Sequence, residues 1–287
     1  MFIEYACTAV TLFLCNVVRS EAAARPSAEL RNIEYAVAGD ARLLLDVYLP
    51  PDSQTNTSLP AILLVHGGGW KHGNKADMAT EAEWFSSKGY VCVSMGYRLL
   101  AGPKNKWPTQ LVDARKALAW MRDSKNGLNI NPDRIAALGV SAGGHIVSHL
   151  ALITPSDLNG KLATPPRCVI SVCGPSDFLI KAPVRHQALL KQLITELIGV
   201  DPITSSTAAQ WASPAYHVSG GTAPVLIAQG TEDDIVSVAH AHRFYEALIS
   251  TGNKAELLIM PGEGHVFTYK GLLNYRSATL EFLETHL

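Results

Sequence analysis

A serine framed by glycines, Gly139-Val140-Ser141-Ala142-Gly143, follows the apolar run 135–138 and precedes a helix-like stretch at 145–152. A sharp strand-to-helix reversal holds its central residue in a strained backbone and needs small flanking residues. The hydroxyl is then exposed above the sheet edge. The amide of Ala142 lies where a helix would begin, and there unpaired N–H groups and the helix dipole favour an anion. Such a hydroxyl becomes a nucleophile once a base takes its proton. A second glycine loop, His66-Gly67-Gly68-Gly69-Trp70, follows the apolar run 61–65. Its successive glycines leave amides free to turn toward a developing oxyanion, each such donor worth about 3 kcal/mol of barrier. A phosphate cradle needs Gly-Lys-Ser/Thr or G-x-G-x-x-G after the strand, and this loop carries neither.

The base must come from ten histidines. His265 alone sits in a glycine-flanked loop, Gly262-Glu263-Gly264-His265, after the last apolar run. His145 and His149 share a helix face, but the residues between them lack the Glu of H-E-x-x-H, so packing is expected rather than metal. His240 and His242 are two apart and face different ways on a helix. His66 is expected to brace its loop. His72, His186, His217 and His286 have no partner legible in the sequence.

What must position these groups is a sheet. Continuous apolar runs at 61–65, 90–94, 135–138, 169–172, 225–228 and 257–260 alternate with helix-length segments, the clearest at 111–121, 239–248 and 272–283. This pattern marks an α/β fold, a mostly parallel central sheet with helices on both faces. Two strands at 33–37 and 43–49, joined through Gly39-Asp40, open it, and a polar loop runs to Ser58. Residues 175–223 break the rhythm with a helix-like 187–198, a Ser/Thr-rich linker and Trp211, and are expected to form a lid-like insertion within one domain, 25–287.

At 287 residues, 47% hydrophobic and 17% charged, the chain can bury a large core, which excludes disorder as its main state. A net charge of −1 supplies no basic field for nucleic acid. The apolar run 6–18 is too short to span a bilayer, for which about 20 residues are needed. With Ala22-Ala23-Ala24 after it, it reads as a signal peptide over 1–24, although the first five residues lack a basic side chain. The expected mature chain is secreted or periplasmic and has no membrane span. Cys7 and Cys15 would leave with the leader. Cys168 and Cys173, five apart on one expected strand, would face opposite ways and remain unbridged, and with Cys92 they are expected to fill core volume.

Strand-HGGGW, strand-GVSAGG-helix, Gly230-Thr231-Glu232-Asp233 and Gly262-Glu263-Gly264-His265 together resemble the α/β-hydrolase superfamily. More narrowly they are similar to its small HGGGW esterases: carboxylesterases, feruloyl and acetyl-xylan esterases, and the kynurenine formamidases with a related loop. The resemblance implies a Ser141–His265–Asp233 triad, with the acid three residues past Gly230 and Val236 following it. Asp234 and Asp177 are the less favoured acids. It implies an oxyanion hole from the amides of Gly68, Gly69 and Ala142, and no metal or organic cofactor. The implied substrate is a small-molecule or carbohydrate-linked ester with a short acyl group. Trp70, Lys71 and His72 would line the pocket mouth, with Trp211 and Phe178 nearby, and Trp70 is the substrate-binding candidate. An arylformamidase and a non-catalytic binding protein are the alternatives.

Overall fold

Eight strands hydrogen-bond in the order β1-β2-β4-β3-β5-β6-β7-β8. β1 (Ala28–Ala38) and β2 (Ala41–Leu49) form the expected antiparallel hairpin, and β2 lies antiparallel to β4 (Val91–Met95). The remaining pairings, among β3 (Leu59–Val65), β4, β5 (Ile130–Val140), β6 (Cys168–Val172), β7 (Val225–Gly230) and β8 (Ala255–Met260), are all parallel. The computed structural model describes residues 28–51, 53, 58–152 and 164–287; the expected leader over 1–24, with Cys7 and Cys15, and most of the polar loop at 52–57 lie outside them.

The central strands are apolar throughout because each buries both faces. Leu63, Val65, Ile135, Ala137, Val169 and Ile227 point into one core, and Ile62, Leu64, Ala136, Leu138, Ile170 and Leu226 into the other. The helices α1 (Ala79–Ser86), α2 (Thr109–Arg122), α3 (Ala142–Ala151), α4 (Gln187–Ile198), α5 (Ser206–Trp211), α6 (Val238–Ser250) and α7 (Tyr269–His286) cover the two faces. Those on the first core are α2, α3, α4 and α6, through Leu111, Ile146, Leu193 and Phe244 among others. On the second are α1 and α7, through Phe85, Tyr275 and Phe282. A buried ion pair, Arg276 to Glu81 at 3.0 Å, ties α7 to α1. Among the described residues no helix is long and apolar enough to cross a membrane.

Two elements differ from expectation. The Ser/Thr-rich linker contains α5, a turn and a half that buries Ala209 despite poor helix formers at its start. Cys173 lies beyond the end of β6, at φ 49°, so strand alternation does not govern it. It shares the second core with Cys168, and both thiols, like that of Cys92, are buried and free.

The topology decides where chemistry can occur. β4 and β5 lie on opposite sides of β3, so the chain changes direction there and leaves a crevice beyond the strands' C-terminal ends. The loops bearing Gly68, Ser141, Asp233 and His265 follow β3, β5, β7 and β8 respectively, all on that edge. The helix expected at 187–198 is α4, and its Leu189, Leu190 and Leu193 line the pocket in that crevice.

Candidate active site

The turn from β5 into α3 is as tight as its glycines require. A Cβ on Gly139 would stand 2.2 Å from the carbonyl oxygen of Gly143, and one on Gly143 would stand 2.1 Å from that of Val65. Ser141 between them is held at φ 56°, ψ −118°, a conformation that side-chain-bearing residues rarely adopt. Its amide donates to Val172 at 2.8 Å, and its carbonyl accepts the first bond of α3 from His145 at 3.0 Å.

Ser141 Oγ lies 3.0 Å from His265 Nε2, and His265 Nδ1 lies 2.7 Å from Asp233 Oδ2. Asp233 is buried and heavily solvated by protein. Oδ2 also accepts from Gln229 Nε2 at 2.7 Å, while Oδ1 accepts the amides of Ile235 at 3.0 Å and Val236 at 2.8 Å. Burial pushes this carboxyl upward, but the hydrogen bonds from His265 and the two amides outweigh it and hold the group below its ordinary range. The alternative acids point elsewhere. The Asp234 side chain is 42% exposed and faces His186, while Asp177 faces Arg243 and caps Leu179. Gln229 carries no signal in the sequence, because its role depends on β7 placing it beneath the following turn.

The amides of Gly68, Gly69 and Ala142 have no protein acceptor among the described residues. They border, with Ser141 and His265, a cavity of about 100 Å³ that Leu189, Leu190 and Leu193 of α4 also line, with Leu193 close against Gly69. The glycine loop is braced as expected. His66 stacks on Tyr97 at 4.2 Å between ring centroids, its Nδ1 lies 2.7 Å from the Gly67 carbonyl, and Tyr97 donates its hydroxyl to the His66 carbonyl at 3.1 Å.

Trp70 borders the pocket, but its ring does not offer a surface for stacking. Only 1% exposed, it turns into the core, edge-on to His145 and Phe178, and donates Nε1 to His145 Nδ1 at 3.3 Å. Burial of a large ring is worth more than its exposure at the mouth. Phe178 is buried too. Trp211, 49% exposed, lies against Trp107 outside the pocket. Lys71 instead ties the loop to α4 through Glu196 at 2.8 Å. His145 and His149 both donate to the carbonyl of Ala212, at 2.7 and 3.1 Å, which makes them packing residues.

Burial holds His66, His145 and His240 neutral, each pushed down to about 4. The unfolded chain takes these protons near 6.5, so it binds more protons than the folded chain across that window. Their contribution is complete above pH 6.5 and is lost as pH falls toward 4, at about 3 kcal/mol for each ring. That loss is comparable with the whole stability of a domain. Melting temperature is expected to hold steady above pH 7 and fall steeply between 6.5 and 4. A flat profile down to pH 4.5 would contradict the buried, neutral assignment.

The BD-FAE family model matches residues 45–248, most of the chain. The chain belongs to the BD-FAE family. The family match includes Ser141 and Asp233 and stops before His265, which the fold returns to them from beyond β8. Among curated relatives, the probable carboxylic ester hydrolase LipM of Mycobacterium tuberculosis is 29% identical over 84% of this chain and 56% of its own length. The chain therefore spans little more than half of the first curated relatives it matches. Two solved structures show the α/β-hydrolase fold. A truncated carbohydrate esterase from gut microbiota superposes with a TM-score of 0.77 at 22% identity, covering 91% of this chain and 96% of that one. The butyrate-bound esterase Est2 of the planctomycete Thermogutta terrifontis gives 0.74 at 24%, covering 91% and 94%.

Proposed function

We propose that this protein is a serine hydrolase that cleaves esters of short-chain carboxylic acids, free or linked to carbohydrate. The observation that carries this reading is the hydrogen-bonded line Ser141 Oγ, His265, Asp233, at 3.0 and 2.7 Å, beside three amides without protein acceptors. Ser141 attacks the acyl carbon while His265 Nε2 takes its proton, and Asp233 holds Nδ1–H and stabilises the imidazolium. The amides of Gly68, Gly69 and Ala142 receive the oxyanion. His265 returns the proton to the leaving alkoxide. Water, activated by the same imidazole, then releases the acid from Ser141. Protein groups and water supply every step.

The size of the cavity bears on the acyl group. About 100 Å³ is well below the ~300–1,000 Å³ typical of pockets that enclose drug-sized ligands. Leu189, Leu190 and Leu193 of α4 line it with Met78, Leu272 and Tyr275, so a long chain would have to leave this space or push these side chains aside. The butyrate bound to the similar Est2 agrees with a small acyl group, and the similar carbohydrate esterase with an ester linked to carbohydrate. In a p-nitrophenyl ester series, kcat/KM is expected to peak at acetyl to butyryl and fall at least about tenfold by octanoyl, as methylenes forced into a space too small for them cost about 1–3 kcal/mol of overpacking. A maximum at octanoyl or longer would refute the short-chain assignment. Preferred turnover of N-formylkynurenine over p-nitrophenyl acetate would replace the ester reading with the formamidase one.

A further inference from the structure

Behind the carboxylate of Asp233 lies a thiol for which ester hydrolysis has no use. Cys173 is fully buried one residue past β6. Its Sγ, a carboxylate oxygen of Asp233 and a ring nitrogen of His265 all lie within 4.8 Å of one another. Sulfur, nitrogen and oxygen ligands from three separate loops form the donor set that Zn²⁺ accepts readily. Bonds of about 2.0–2.3 Å to a tetrahedral ion put such donors about 3–4 Å apart, so adjustments of about 1 Å bring these three into range. Charge also balances, because one thiolate and one carboxylate neutralise a divalent ion in a site with little water. The ring side of the cluster is the accessible one, since His265 borders the pocket that substrate would enter.

We propose that Cys173, Asp233 and His265 form an inhibitory site for a borderline-soft divalent cation such as Zn²⁺, which captures His265 through Nδ1 and removes it as a base. The proton inventory is explicit. The ion takes the Nδ1 lone pair, so the ring's single proton moves from Nδ1 to Nε2. The Cys173 thiol gives its proton to solvent, one released for each ion bound. Nε2 then donates to Ser141 Oγ, where it formerly accepted, and Ser141 cannot be deprotonated. The effect on turnover rests on the serine-hydrolase reading, whereas ion binding itself does not.

The test uses the full chain, freed of metal by chelation. ZnCl₂ is titrated against p-nitrophenyl acetate turnover, and CoCl₂ against the near-ultraviolet thiolate-to-cobalt charge-transfer band. Inhibition is expected to reach completion at one ion per chain and to reverse with EDTA, with the cobalt band developing in both wild type and Ser141→Ala. Cys173→Ala and Cys173→Ser, each normalised to its own metal-free rate and melting temperature, are expected to lose the band. Half-inhibition should then need about 100-fold more zinc, since a lost outer-shell partner alone costs about 10–100-fold. Undiminished zinc inhibition in both Cys173 variants would overturn the proposal, as would a wild-type cobalt complex without the thiolate band. A thiolate–cobalt complex in a protein that turns over no ester supports the site while removing the hydrolase reading.

Discussion

Replacing Ser141 with alanine is expected to lower kcat for p-nitrophenyl acetate by about 10⁶ and to abolish labelling by a fluorophosphonate, with the fold intact. The magnitude follows from triad members acting as a unit: without the nucleophile, base and acid have nothing to activate, and only binding and the oxyanion donors remain. Glycine at the same position separates chemistry from strain. Ser141 sits at φ 56°, and alanine keeps the Cβ that makes this conformation costly. Glycine releases about 1–3 kcal/mol of strain and gives back about 0.4–1 kcal/mol through the greater freedom of its unfolded chain. Ser141→Gly is therefore expected to be as inactive as Ser141→Ala and to melt a few degrees higher than either alanine variant or wild type. Persistent labelling of Ser141→Ala would remove this residue as the nucleophile. A Ser141→Gly melting temperature below that of Ser141→Ala would show that the turn is not strained as its angles imply.

The positions of Ser141 and His265 were legible because their signals are local. Each stands in a glycine-bearing loop directly after an apolar run, and parallel strands deliver all such loops to one edge. In the sequence only the resemblance separates Asp233 from its neighbour, and the structure brings only the former to the imidazole. What the sequence hid was tertiary. Gln229 reaches Asp233 because β7 ends just before the turn, and Trp70 faces inward because His145 and Phe178 arrive from distant segments to receive it. Cys173 escaped the period-two rule because the strand stops before it, and nothing in its spacing announces a carboxylate behind it. The same limit applied to α5, where burial of Ala209 prevails over weak local propensity.

Asp233→Asn is expected to reduce kcat by about 10³–10⁴, whereas Asp234→Asn should stay within about threefold of wild type. The asymmetry comes from what surrounds each carboxylate. Every partner of Asp233 is a donor: two backbone amides on Oδ1, and Gln229 Nε2 and His265 Nδ1 on Oδ2. An asparagine must put its carbonyl somewhere, and the backbone amides of Ile235 and Val236 cannot rotate away, so the oxygen takes their side. The NH₂ then faces Gln229 and His265. Gln229 Nε2 is held in place by the Val236 carbonyl at 3.0 Å, so a flip to accept would set two carbonyl oxygens against each other, and the imidazole can accept only by moving its proton from Nδ1 to Nε2. That tautomer donates to Ser141 Oγ instead of receiving from it, so the base is lost while distances barely change. Asp234 meets solvent and a partly exposed His186, where replacement of a carboxylate by an amide removes a weakly contributing pair. Kinetics of the two variants, read beside their melting curves, decide the matter. Comparable losses in both, or the larger loss in Asp234→Asn, would mean that the imidazole takes its orientation from a group other than the one its Nδ1 now touches.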